Sequence, residues 1–189
     1  VYLDVCKDRL YCDAKDAPRR RSAQSAMAII TKALLPLIAP TLTYTVDEVM
    51  DYAPKIVKGE AKDAFDLVYE PIKFDLGFED ELLFASREKF NEIVDVLKKD
   101  KKIKSTLELS LETTNHNITG YDEREVADLY MVSSVRAYDD SEPLAEFELE
   151  GDKFKIIASN LHKCPRCWKF NASKEYALCP RCEEVISAK

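Results

Sequence analysis

The chain has 189 residues, 46% apolar and 33% charged, with a net charge of −7 at neutral pH. That balance describes a foldable chain of one medium or two to three small domains, excludes a disordered one, and argues against bulk nucleic-acid binding by charge alone. It also leaves no membrane span: the least charged stretch, Ser22 to Tyr44, is interrupted by Lys32, Pro36 and Pro40, well short of the roughly 20 apolar residues required.

An apolar pattern is already under way at the first residue (Val1, Leu3, Val5, Cys6, Leu10). The sequence is therefore expected to be a fragment of something longer, cut through a helix. No charged-then-apolar leader is present, so a cytoplasmic protein is expected. Ala23, Met27, Ile30, Leu34 and Leu37 then recur at spacings of three and four, the apolar face of a second helix. Pro36 and Pro40 are expected to kink and then end it. Thr45-Val46-Asp47-Glu48 reads as a capping box opening the next helix.

Residues 54–78, with Pro54, Gly59, Pro71 and Gly77, read as a long connection. An amphipathic helix is predicted over Glu79 to Lys102, with Leu83, Phe90, Val94 and Leu97 on one side. Leu107, Leu109 and Leu111 alternate with polar residues as in a half-buried strand. A short helix over Val126–Met131, a strand over Met131–Tyr138 and a hairpin turning at Gly151-Asp152 complete the predicted elements.

Charge is unevenly spread. Residues 151–189 hold eight basic and four acidic residues, a net +4, which leaves −11 for the first 150. Within that tail lie Cys164-Pro165-Arg166-Cys167 and Cys179-Pro180-Arg181-Cys182, two C-x-x-C pairs separated by eleven residues. Two thiolates two residues apart can bite one metal from a tight turn, and Zn²⁺ takes four ligands in a tetrahedron. A 26-residue tail poor in apolar side chains cannot fold on burial alone, so metal binding would supply the missing free energy. A redox pair or two disulfides are the alternatives, but a redox motif needs only one C-x-x-C, and adjacent C-x-x-C disulfides are poor staples. One closed, structural zinc through Cys164, Cys167, Cys179 and Cys182 is the expectation. His162 could substitute as a ligand, though a solvent-facing role suits it better. Cys6 and Cys12 read as buried thiols.

Three groups could meet RNA. Trp168 sits among Lys163, Arg166 and Lys169, a ring for a splayed base beside cations for phosphate; alternatively it packs over the metal knuckle. Lys98, Lys99, Lys101, Lys102 and Lys104 crowd the end of the long helix, where they either meet phosphate or complement the helix terminus. Arg19, Arg20 and Arg21 lie near a helix start, where the dipole disfavours cations. They need anions, either Asp8, Asp13 and Asp16 or RNA phosphates.

The strings YLDVCKDRLYCD (2–13), RRSAQSAM (20–27) and APTLTYTVDEV (39–49) resemble the anticodon-binding helical domain of isoleucyl-tRNA synthetases. REKFNEIVDVLKKDKKIKSTLE (87–108) resembles the long helix and strand that follow, and KCPRCWKF (163–170) with CPRC (179–182) resembles the terminal zinc finger. This resemblance implies a mainly α fold with a small α+β part: a helical anticodon-binding bundle over 1–104, a junction domain over 105–160 and a zinc-finger tail over 161–189. It implies isoleucine tRNA as partner and a monomer, with neither DNA nor membrane. The family's catalytic signatures, His-Ile-Gly-His and Lys-Met-Ser-Lys-Ser, do not occur here, so ATP and Mg²⁺ would belong to a catalytic core outside this chain. A DNA-glycosylase-like finger and a zinc-dependent protein-docking module are the alternatives. The first would need an amino-terminal Pro-Glu start, which is absent.

Overall fold

The structure, a computed structural model, describes residues 2–73 and 81–188. Val1, Gly77 and the expected helix start at Glu79 lie outside the described residues. The architecture is mainly α with a small α+β part, as expected. Two compact units divide the described residues, 2–14 with 81–188, and 15–73. In this division the first helix groups with the sheet and the cysteine tail.

In the helical unit, α2 (Pro18–Ile38) begins on a proline whose missing N–H would be unpaired in a first turn anyway. It carries Pro36 inside its last turn and stops two residues before Pro40. The expected capping box does not form. Helix α3 (Thr43–Tyr52) starts two residues earlier behind Leu42, and the Thr43 hydroxyl donates back to the Ala39 carbonyl at 2.8 Å. The expected connection contains a single-turn helix, α4 (Lys55–Lys58), ended by Gly59 at φ 59°, ψ −126°, a region open essentially to glycine alone. The Asp63 carboxylate then holds a 3₁₀ turn over Ala64–Asp66.

Leu35, Val46, Met50, Val57 and Ala64 form the core of this unit, flanked by Ala28 and Ile38. The face predicted for α2 is thus the wrong one beyond Ala23, since Ile30, Leu34 and Leu37 are about half exposed. Leu34-Leu35 and Leu37-Ile38 offer two adjacent apolar stripes, and the packing of α3 and α4 selects the second.

The other unit contains α1 (Tyr2–Cys12), α5 (Glu81–Lys99), and a four-stranded sheet with α6 (His116–Gly120) and α7 (Glu123–Tyr130) crossing between its first two strands. Its strands are β1 (Leu109–Thr113), β2 (Ser134–Ala137), β3 (Ala145–Leu149) and β4 (Asp152–Ala158), in the order β2-β1-β4-β3. β1 runs parallel to β2 and antiparallel to β4. The predicted hairpin is β3–β4, turning on Glu150 and Gly151, both at positive φ. Leu83, Phe90, Val94 and Leu97 of α5 are buried as predicted, joined by Leu109, Leu111, Tyr130, Phe154 and Ile156. Phe90 meets Tyr130 edge to face at 5.3 Å between centroids.

β1 starts two residues later than predicted, after a 3₁₀ turn over Thr106–Glu108, and is buried on both faces rather than one. On the second face Glu112 pairs across the ladder with Lys155. The loop after β2 closes over them: Glu112 accepts from the Ser141 hydroxyl (2.9 Å) and the Asp139 N–H, while Lys155 donates to the Asp139 and Ser141 carbonyls. Buried charges persist because each has a partner. No helix among the described residues is long and apolar enough to cross a membrane.

Phe90→Ala should destabilise the α+β unit by about 3–5 kcal/mol. Urea unfolding followed by circular dichroism reads this, and its effect should add to that of Leu35→Ala, since the two lie in separate cores.

Candidate metal centre and nucleic-acid surface

The cysteine tail is built from β5 (His162–Lys163), β6 (Phe170–Ala172) and α8 (Pro180–Ser187). Cys164 and Cys167 occupy the knuckle between the two short strands, closed by the Trp168 N–H donating to the Cys164 carbonyl and the Cys164 N–H to the Lys169 carbonyl, both 2.9 Å. Cys179 stands at the N-cap of α8, with Pro180 and Cys182 in its first turn. These turns bring all four Sγ atoms within 4.8 Å of one another.

The donors fit one tetrahedral metal ion. Cys167 Sγ and Cys179 Sγ lie 3.7 Å apart, close to the ~3.8 Å edge of a tetrahedron with metal–sulfur bonds near 2.3 Å. The residues are buried. Burial works against a thiolate at Cys164, but N–H groups from Cys167, Cys179 and Arg166 outweigh it and pull the pKa down to about 6. Burial pushes the Cys167 and Cys179 thiols up, a preference that a bound cation would reverse. With four protein ligands the site is closed, which suits a structural metal rather than a catalytic one. His162 is exposed and lies outside the cluster.

Both arginines of the C-P-R-C turns are used inward. Arg166 donates from Nη1 to the Cys12 carbonyl (2.6 Å) and from Nη2 to the Tyr11 carbonyl (3.3 Å), neutralising the unpaired carbonyl end of α1, and reaches Cys182 Sγ at 3.4 Å. Arg181 clasps both oxygens of Asp8 (2.5 and 2.7 Å) and touches Asp13 at 3.2 Å. Burial would lower its pKa, and the Asp8 pair raises it instead. Cys12 packs against the four cysteines, its thiol pushed up to about 11 by burial and then by Asp8. Cys6 is buried as well, so both remaining thiols are interior, as expected.

The residues singled out for RNA fall into two groups. Lys169 is 6% exposed and pairs with Asp128 at 2.8 Å, and Arg166 is committed to α1; both sit in structural pairings. Arg19 and Arg20 are partly buried with partners inside the chain, and Arg21 is exposed. Trp168 is 62% exposed, at a left-handed φ of 65°, with Lys163 Nζ 5.7 Å from its ring. Most of its ring surface is therefore open to solvent. Lys98, Lys99, Lys101, Lys102 and Lys104 are exposed at the end of α5 and the turn behind it. Sequence reasoning missed the Arg181–Asp8 clasp. Four aspartates in the first sixteen residues, Asp8 and Asp13 among them, were its signal, but a separation of 173 positions has no local trace.

Four converging cysteines that could hold one metal ion, tied by Arg166 and Arg181 to α1, define the class as a helical domain with a cysteine-knuckle tail. The family described as anticodon-binding domain of tRNA ligase matches residues 1–115, and the chain belongs to that family. Over its whole length the chain is 97% identical to the isoleucine–tRNA ligase of Campylobacter concisus (strain 13826), covering 21% of that protein. It is 72% identical to that of Campylobacter curvus (strain 525.92) over 20% of the relative, and 50% identical over 98% of this chain to that of a Nitratiruptor species, again over 20%. The chain thus spans about a fifth of the length of these curated relatives.

Arg181→Ala should destabilise the α+β unit by about 3–5 kcal/mol, because it strands Asp8 among buried groups. Arg181→Lys should recover only part, since an ammonium cannot span both carboxylate oxygens. Denaturant titration of the two variants gives the comparison.

Proposed function

We propose that the chain is the carboxy-terminal, tRNA-binding part of an isoleucine–tRNA ligase, the class I enzyme that joins isoleucine to its tRNA using ATP. The observation that carries this is 97% identity over the whole chain to a protein of that name. The catalytic signatures are missing from the sequence, so the chain's own part is recognition, at the anticodon side of isoleucine tRNA. The whole protein would act as a cytoplasmic monomer. A DNA-glycosylase-like finger or a protein-docking module would leave the match over residues 1–115 unaccounted for.

The metal in this reading is one structural Zn²⁺ on Cys164, Cys167, Cys179 and Cys182. Its chemistry is to neutralise four converging thiolates, while Arg166 and Arg181 carry the resulting order into α1. Elemental analysis of unchelated protein should give one zinc per chain, and Cys164→Ser should lower that content sharply. A preparation that is folded and free of zinc refutes the assignment.

RNA contact in this reading falls to the outward groups. The Lys98–Lys102 run and Arg21 take phosphates, which fix register without reading sequence. Trp168 stacks on an unpaired base. Arg19 and Arg20 share the phosphate role at the start of α2, while Arg166 and Lys169 support the surface from within. Titration against isoleucine tRNA, a non-cognate tRNA and duplex DNA tests this, with isoleucine tRNA expected to bind best. Neutralising Lys98 and Lys101 together should weaken every tRNA alike, and the log–log salt slope should flatten by roughly 0.7 for each phosphate no longer neutralised. Equal affinity for duplex DNA and tRNA would sink the reading.

A further inference from the structure

Trp168 faces an open cleft of about 470 Å³ that it shares with His162, Lys163, Phe170, Glu175 and Tyr176. Tyr176 was not singled out by the sequence, and it is 85% exposed. Like Trp168, it sits at a left-handed backbone position, φ 62° against 65°. Such positions favour glycine or asparagine, because an ordinary Cβ crowds the neighbouring carbonyl. Here the chain places its sole tryptophan and a tyrosine on two of them, and buries neither ring. Core packing gives no reason for that choice, since the tail's interior is made by the four cysteines with Cys12, Ala172 and Leu178.

We propose that Trp168 and Tyr176 are the two aromatic walls of one nucleobase-binding cleft for single-stranded RNA. A rigid aromatic on an exposed turn offers a flat face at little cost in side-chain entropy. Lys163, already over the Trp168 ring, supplies the cation for the phosphate beside the bound base, with His162 next to it. Glu175 is the one acid lining the cleft. A carboxylate repels phosphate but accepts from base N–H groups, so it favours the base edge rather than the backbone at that wall. The cleft therefore takes a splayed base between two rings, with its phosphate on the lysine side. This rests on the tail being an RNA-contacting surface, and adds to that reading a second stacking residue and an edge-reading acid.

The sole tryptophan makes the test direct. Titrating the 189-residue chain with short oligoadenylate and oligouridylate should quench Trp168 fluorescence, and an abasic oligomer of equal charge should not. Tyr176→Ala should weaken oligonucleotide binding roughly 5- to 150-fold, the range expected for one missing stacking partner, with metal content unchanged. Tyr176→Phe should restore the affinity, because the ring and not the hydroxyl carries it. Equal affinity for the abasic oligomer, or no effect of Tyr176→Ala, overturns the proposal. Neither outcome bears on isoleucine tRNA: specific tRNA binding that survives Tyr176→Ala leaves the tRNA reading standing without the cleft. Base-dependent quenching without tRNA selectivity does the reverse.

Discussion

Four sulfur atoms held within 4.8 Å of one another would repel as thiolates unless a cation sat among them, and that constraint organises everything around the tail. The knuckle after β5 and the first turn of α8 exist in register only because their cysteines meet at one point. The apolar content of the segment is too small to hold them by burial. A tetrahedral metal held there would convert the two short, weakly restrained C-P-R-C turns into one rigid body.

That body does not stand apart from the rest of its unit. Arg166 and Arg181 occupy the same place in two C-P-R-C turns, and both reach α1, one to its terminal carbonyls and the other to Asp8 and Asp13. Lys169 leaves the knuckle inward to Asp128, which also receives Arg9 of α1 at 3.5 Å. Asp128 is therefore a shared counter-ion between the tail and the first helix, with α7 as its platform. Removing any one of these charges would leave another without its partner, so they act as a set. Among the described residues, the exposed cations include Lys163 beside Trp168, Arg21 at the start of α2 and the lysines at the end of α5.

Much of this was legible in the sequence. The clustering of the four cysteines follows from the C-x-x-C spacing, because two residues is the reach of a tight turn. The long helix α5, its buried face and the β3–β4 hairpin follow from hydrophobic periodicity and turn residues, which are local. The resemblance to the isoleucyl family was legible in short strings at both ends and the middle of the chain, in the order the family has them.

What tertiary structure alone decided were choices between equally good local options. Periodicity allowed either of two stripes on α2, and α3 with α4 took Leu35 and Ile38. Alternation marked β1 as half-buried, but the loop carrying Asp139 and Ser141 covered its polar face and buried Glu112. Basic residues beside an aromatic look alike in sequence, yet the fold turned Arg166 and Lys169 inward and left Trp168 and Tyr176 outward. The physical reason is the same in each case. Local patterns fix which side chains share a face, while the partner that a face or a charge meets can lie more than a hundred positions away, as Asp8 does from Arg181.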